Sequence, residues 1–214
     1  MVLRHIVRSP ATLYTLALML VLNVSWTIRG TFWSILVSQE LRIPDEHLAL
    51  YPFVRSMTML AFFFVAMPRL QRMAQLSQFG ERLLMIIGFV GLLISQVILI
   101  AAPVGSYTVL LIATMLEGTG IPLTGTMLDK LTVTTVDAKE RARTMALLNL
   151  MVVVGATPFG WIAGQLSLVN RRLPFVLVLA LLILGGFVAL LSRRVQTPVV
   201  ISEAEHPLEA EMAA

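Results

Sequence analysis

An all-α membrane protein, a six-transmembrane-helix bundle, is the fold class this sequence predicts, and three observations predict it. Of its 214 residues 57% are hydrophobic and only 13% charged, with a mean hydropathy of +0.87, more apolar than a water-soluble domain sustains. A helix needs about 20 mostly apolar residues to cross the hydrocarbon, and six such stretches fall near 11–37, 48–67, 83–102, 107–128, 144–169 and 174–191. The basic residues also sort by loop. Arg4, Arg8, Arg69, Arg72, Arg82, Lys130, Lys139, Arg141, Arg143, Arg193 and Arg194 fall on one side, and Arg42, Arg171 and Arg172 on the other. Such a bias places the richer side in the cytoplasm, and both termini with it; Arg171 and Arg172 run locally against it.

Residues 1–10 form a basic lead-in that ends on Pro10, at a helix start where a missing N–H costs nothing. The first span is too long for a signal-peptide core and lacks a small-residue cleavage site, so it stays in the membrane. Loop 38–47 is external, whereas 68–82 is cytoplasmic and long enough for an amphipathic segment on the membrane surface. Residues 103–106 make a tight external turn, 129–143 return to the cytoplasm, and 170–173 form the last external turn. The bundle therefore occupies 1–194. The tail 195–214, with prolines, four glutamates and no apolar period, is expected to be a disordered cytoplasmic segment.

Spans three and six carry no charge, so they can face lipid. Spans one, two and four carry Arg29, Arg55 and Glu117, and span five has Asn149, Pro158 and a ladder of small residues. An ionised side chain at a helix centre costs about 2.5–3.5 kcal/mol on insertion scales and normally faces protein or a wet cavity. Arg29 lies some eight residues below the outer end of span one, about 12 Å at 1.5 Å per residue, Arg55 lies at a similar depth, and Glu117 at about 15 Å. The three charges share one layer, with Glu117 as the natural counter-ion. Two readings stand: a solute pathway, or a buried ion pair that only fixes helix register.

Helical spacing puts Ser25 and Trp26 one turn below Arg29, and Phe32 and Trp33 one turn above. The indoles could hold the guanidinium by cation–π contact or line a pocket beside it; Trp33 as an interfacial anchor and Trp26 as simple packing is the alternative. Asn23, Thr27, Thr31, Ser34 and Ser38 form a second polar stripe of the kind that mediates helix contact, which makes span one a central helix. After Glu117, Gly118, Gly120 and Pro122 should loosen span four so that its backbone lines a cavity, while Gly125 is expected to serve close packing. In span five Ala156, Gly160 and Gly164 predict a helix contact groove, and Pro158 a bend.

These features together resemble half of a major facilitator superfamily transporter. DAKERARTMALLNL followed by VGATPFGWIAGQL is similar to the segment joining the tenth and eleventh helices of that family, FGERLLMIIG resembles the loop that opens the ninth, and LRHIVRSP the linker before the seventh. The strict acidic-and-basic signature of the first half's second loop is absent, which points to the C-terminal half. The resemblance implies a 3+3 inverted repeat in which the first and fourth helices line the central cavity, the second and fifth flank it, and the third and sixth support it from outside. On that basis Arg29 and Glu117 would sit on the cavity, with Arg55 and Asn149 beside it. Family members normally have twelve helices, so a six-span chain is expected to be a fragment or split half, or to pair with a second six-helix half or a copy of itself.

The function expected is secondary transport of a small solute by alternating access in the plasma membrane. Its cavity would be lined by Ser25, Trp26, Arg29, Trp33, Arg55, Glu117 and Asn149, with Glu117 as the proton carrier. Asp129 would form a cytoplasmic latch with Arg82, Arg141 or Arg143. A non-transporting fragment or partner subunit of a membrane complex is the alternative. An enzyme is not expected: the chain has no cysteine, and its histidines, 5, 47 and 206, lie outside the spans. No metal or cofactor is expected. The basic residues sit at helix ends rather than in a stripe with interleaved aromatics, which argues against a nucleic-acid partner.

Overall fold

In the computed structural model, residues 10–75, 80–135 and 141–191 are described, and among them the chain is helical with short connections. Helix α1 (Pro10–Ile35) continues into a π-helical turn at Leu36–Glu40, and a short 3₁₀ turn (Asp45–His47) follows. The second span is built from α2 (Leu50–Ala61), a π-helical turn at Phe62–Ala66, and α3 (Met67–Gln75). The remaining spans are α4 (Gly80–Ala101), α5 (Tyr107–Thr135), α6 (Arg141–Val169) and α7 (Leu173–Leu191). Six of the described helical stretches are long and apolar enough to cross a membrane.

Several spans run past the limits expected from hydropathy. The second does not end at residue 67: Pro68 has no N–H to give the carbonyl of Phe64, and the π-helical turn just before it, closed by Met67 N–H donating to Phe62 O, absorbs the mismatch so the helix continues. The expected surface segment at 68–82 is thus in part an extension of the second span. Likewise α5 continues to Thr135 and α6 begins at Arg141, inside the stretch read as a loop. Leaving the hydrocarbon removes the apolar period but not the capacity for helical hydrogen bonding, so hydropathy alone does not mark a helix end. The tail 195–214 lies outside the described residues.

The packing pattern has an internal symmetry. The helix pairs α1–α6 and α1–α7 recur as α5–α2 and α5–α4 when the first three spans are exchanged with the last three, while α1–α5 and α4–α7 map onto themselves. That is the arrangement of a 3+3 repeat with α1 and α5 nearest the axis. Close approach is set by glycines. A Cβ on Gly88 would lie 2.7 Å from Thr124 Cγ2, and one on Gly185 would lie 2.9 Å from Phe89 and Val21. The main core, with Leu18, Val24, Ile28, Phe89, Leu123 and Leu182, fills the space among α1, α4, α5 and α7.

α7 and the charge-free stretch of α4 from residue 83 on expose one apolar face each, through residues such as Ile87, Val90 and Phe187, and bury the other. Inside α4 are two buried polar residues: Ser95 donates to Ala113 O on α5 at 2.7 Å, and Gln96 Nε2 to Phe175 O on α7 at 2.8 Å. They couple three helices at one level. The least covered spans are instead the second and fifth, where 11% of the most apolar stretch is buried against 44% in α4.

One end of the bundle is locked by Arg172 in the turn between α6 and α7. Its guanidinium donates to Ile100 O at 2.9 Å and Ala102 O at 3.3 Å, and pairs with Glu40 at 3.2 Å. A cation on the free carbonyls at the end of α4 is favourable both as a hydrogen-bond donor and against the helix dipole. Gly105 N–H donates to Leu41 O at 2.9 Å, so all three turns at this end are joined. The charge that runs against the loop bias therefore has structural work at a helix terminus.

Candidate functional site

Arg29 projects from α1 toward α5, and Glu117 from α5 toward α1, both more than nine-tenths buried. Arg29 Nη2 lies 2.6 Å from Glu117 Oε2, and Arg55 Nη1, from α2, lies 3.7 Å from Glu117 Oε1. One carboxylate thus bridges two guanidinium groups on two other helices. The placement follows from depth and rotation: α1 and α2 each bring an arginine to the same level, and Gly118, next in sequence to the acid, lets α2 come close. A Cβ on Gly118 would lie 3.0 Å from Arg55 O and from Thr58 Cβ.

Two voids meet at this ion pair. The larger, about 290 Å³, is lined on α1 by Met19, Leu22, Asn23, Ser25 and Trp26, and on α5 by Ile121, Thr124, Gly125 and Leu128, with Asn149 and Val152 from α6. The smaller, about 100 Å³, is lined by Gly30 and Trp33 on α1, by Tyr51, Pro52 and Arg55 on α2, and by Thr114 on α5. Arg29 and Glu117 line both. Because α1 and α5 run in opposite directions, residues 30–33 and 114 lie on one side of the pair, toward the end bearing residues 38–49, and residues 19–26 and 121–128 on the other. The ion pair is a partition between them.

Of the seven residues singled out for the cavity, five line the larger void and Trp33 and Arg55 line only the smaller. Their contacts differ from one of the alternatives expected, in which the indoles hold Arg29 by cation–π contact. Trp26 does not hold Arg29; its ring lies under Arg55, with Cζ 5.5 Å from the centroid, and Trp33 packs edge-on against Tyr51 at 5.5 Å. Helical spacing showed only that the indoles flank Arg29 on α1, whereas the cation that meets Trp26 comes from another helix. Ser25 lines the void, but its hydroxyl donates to Val21 O at 2.7 Å.

Of the stripe Asn23, Thr27, Thr31, Ser34 and Ser38, the first four are exposed rather than pressed against a neighbour and Ser38 is half-buried, with Thr27 and Thr31 donating back to their own helix. Trp26 is half exposed beside it, and Asn149 is exposed across the opening. The larger void opens on this polar face.

The glycines divide differently from the expectation. Span four is one unbroken helix through Pro122, and Gly118 and Gly120 are the packing positions, the latter with Leu92 within 2.9 Å of a would-be Cβ. Gly125, expected to pack, lines the void with nothing within 4 Å. On α6 the close approach is at Gly155 against Leu20, while Gly160 and Gly164 meet nothing within 4 Å; Ala156 and Ala163 form the buried side. α6 likewise runs unbroken through Pro158.

Asp129 and Arg143 are exposed at the opposite end of the bundle, and the side chains of Arg82 and Arg141 lie outside the described residues. Sequence reading missed Tyr51, Thr114 and Gln96. Tyr51 is fully buried with an unpartnered hydroxyl, and Arg29 Nε and Gln96 Oε1 are likewise buried without a partner. A tyrosine near a helix start reads as an interfacial anchor, so nothing in its local sequence marked it as a wall of the site.

The family model described as Major Facilitator Superfamily matches residues 3–211, nearly the whole chain. No curated protein and no solved structure matches it.

Proposed function

The chain belongs to the major facilitator superfamily, a family of membrane transport proteins, and on that premise we propose that it is one six-helix half of a secondary active transporter. It moves a small solute by alternating access in the plasma membrane, both termini cytoplasmic, and catalyses no chemical reaction. The observation that carries this reading is the charge layer: two arginines share one buried carboxylate at a partition between two voids. Intramembrane charge at a cavity wall is the usual mark of a solute or ion pathway. Glu117 is the proton carrier, since among the described residues it is the acid buried in the middle of a span.

The exposed polar face of α1 supports a second six-helix unit, another half or a copy of this chain. Acyl chains offer no hydrogen bonds to Asn23 or Asn149, so this face meets water or protein. Alternating access requires such a pair, rocking about a site near the midplane. Asp129 with Arg143, Arg82 and Arg141 supplies the cytoplasmic latch, a minor element because exposed ion pairs contribute little.

The competing reading is a non-transporting partner subunit in which the ion pair only fixes helix register. Reconstitution with the second unit, followed by solute accumulation for Glu117→Gln at two external pH values, separates them. Loss of proton-driven accumulation with retained exchange supports Glu117 as the coupling acid. If Arg29→Ala and Glu117→Ala change stability but never flux, the subunit reading stands.

A further inference from the structure

The layer holds two cations and one anion, and that imbalance has a chemical consequence. Arg29 is 7% exposed, lines both voids, and its Nε has no hydrogen-bond partner. A buried guanidinium N–H without a partner is costly unless something else accepts from it. Arg55 is a third exposed and meets Glu117 only at 3.7 Å, its other neighbour being the Trp26 ring. The site is therefore short of one negative charge and of at least one acceptor.

Resting on the transport reading above, we propose that the solute is a small organic monoanion. Its apolar body occupies the larger void, against Leu22, Ile121 and Val152 and beside Trp26, and its carboxylate-like head binds Arg29. The head displaces Glu117 from Arg29, and Glu117 turns into the smaller void to pair fully with Arg55, which already stands within 3.7 Å. Two anions then meet two cations, and no guanidinium is left with a shared partner. A neutral solute leaves the excess charge uncompensated, and a cationic one adds to it, so the charge layer itself sets the solute class.

The groups facing Glu117 are Arg29 from α1 and Arg55 from α2; α4 and α7 contain no titratable side chain between 83 and 101 or between 173 and 191.

The test uses the purified full chain in lipid nanodiscs, with benzoate as probe and its neutral isostere benzamide as control, read by calorimetry. Benzoate is expected to bind saturably, benzamide at least roughly tenfold more weakly, and Arg29→Ala to abolish the difference. Glu117→Gln, which removes the anion that competes for Arg29, is expected to bind benzoate roughly tenfold tighter than the wild type. A gain of affinity cannot come from a damaged fold. Equal binding of benzoate and benzamide, or a Glu117→Gln variant that binds benzoate no tighter than wild type, overturns the proposal. Benzoate binding with this pattern but no uptake after reconstitution overturns the transport reading and leaves the anion site standing.

Discussion

Arg29 and Glu117 join the two helices that exchange places in the internal symmetry of the bundle, by a 2.6 Å contact between Nη2 and Oε2. The pair stands where α1 and α5 cross, with a void on either side. Its energetics follow from burial. Two charges in a poorly hydrated site are stable together and costly apart.

Removing one partner should therefore cost about 3–5 kcal/mol, and the two single variants should differ. Arg29→Ala leaves Glu117 beside Arg55, whereas Glu117→Ala leaves two arginines with no counter-ion, so the latter should be the less stable. The double variant Arg29→Met, Glu117→Leu should be more stable than either single one. Denaturant titration in mild detergent checks the order, and additive losses would show that the groups are not coupled.

Arg172 binds the carbonyls of Ile100 and Ala102, at and just past the end of α4, and one carboxylate, partly exposed to solvent. Arg172→Ala should cost about 1–2 kcal/mol, less than the sum of its contacts because solvent screens the ion pair. Glu40→Gln should cost well under about 1 kcal/mol. Thermal melting of the two variants distinguishes a staple made of carbonyl hydrogen bonds from one made of charge.

Gly118→Ala places a methyl group 3.0 Å from the Arg55 carbonyl oxygen, an atom that cannot turn aside. It should destabilise by about 1–3 kcal/mol through overpacking. Gly125→Ala, seven residues on, meets open space and should be neutral or gain up to about 1 kcal/mol from helix propensity. Equal losses at the two positions would contradict the division into packing and cavity glycines.

Arg42 follows the π-helical turn that ends the first span with a φ of 53°. A side chain in the left-handed region costs about 1 kcal/mol relative to glycine. Arg42→Gly should accordingly raise the melting temperature. A lowered melting temperature would assign that side chain a role in the turn.

The sequence by itself determined the membrane class, the six spans, and the common depth of Arg29, Arg55 and Glu117. Hydropathy and a fixed rise per residue are properties of one helix at a time, and they survive any packing. It did not determine which indole meets which cation, since Trp26 lies under Arg55 only because α1 and α2 adopt particular rotations about their axes. Nor did it determine which glycines are crowded, because crowding at Gly118 and its absence at Gly125 depend on the distance to a neighbouring helix. The π-helical turn before Pro68 likewise reflects a choice between ending a helix and shifting its hydrogen bonds. Relations between helices were decided by tertiary packing, where a few ångströms separate a wall from a void.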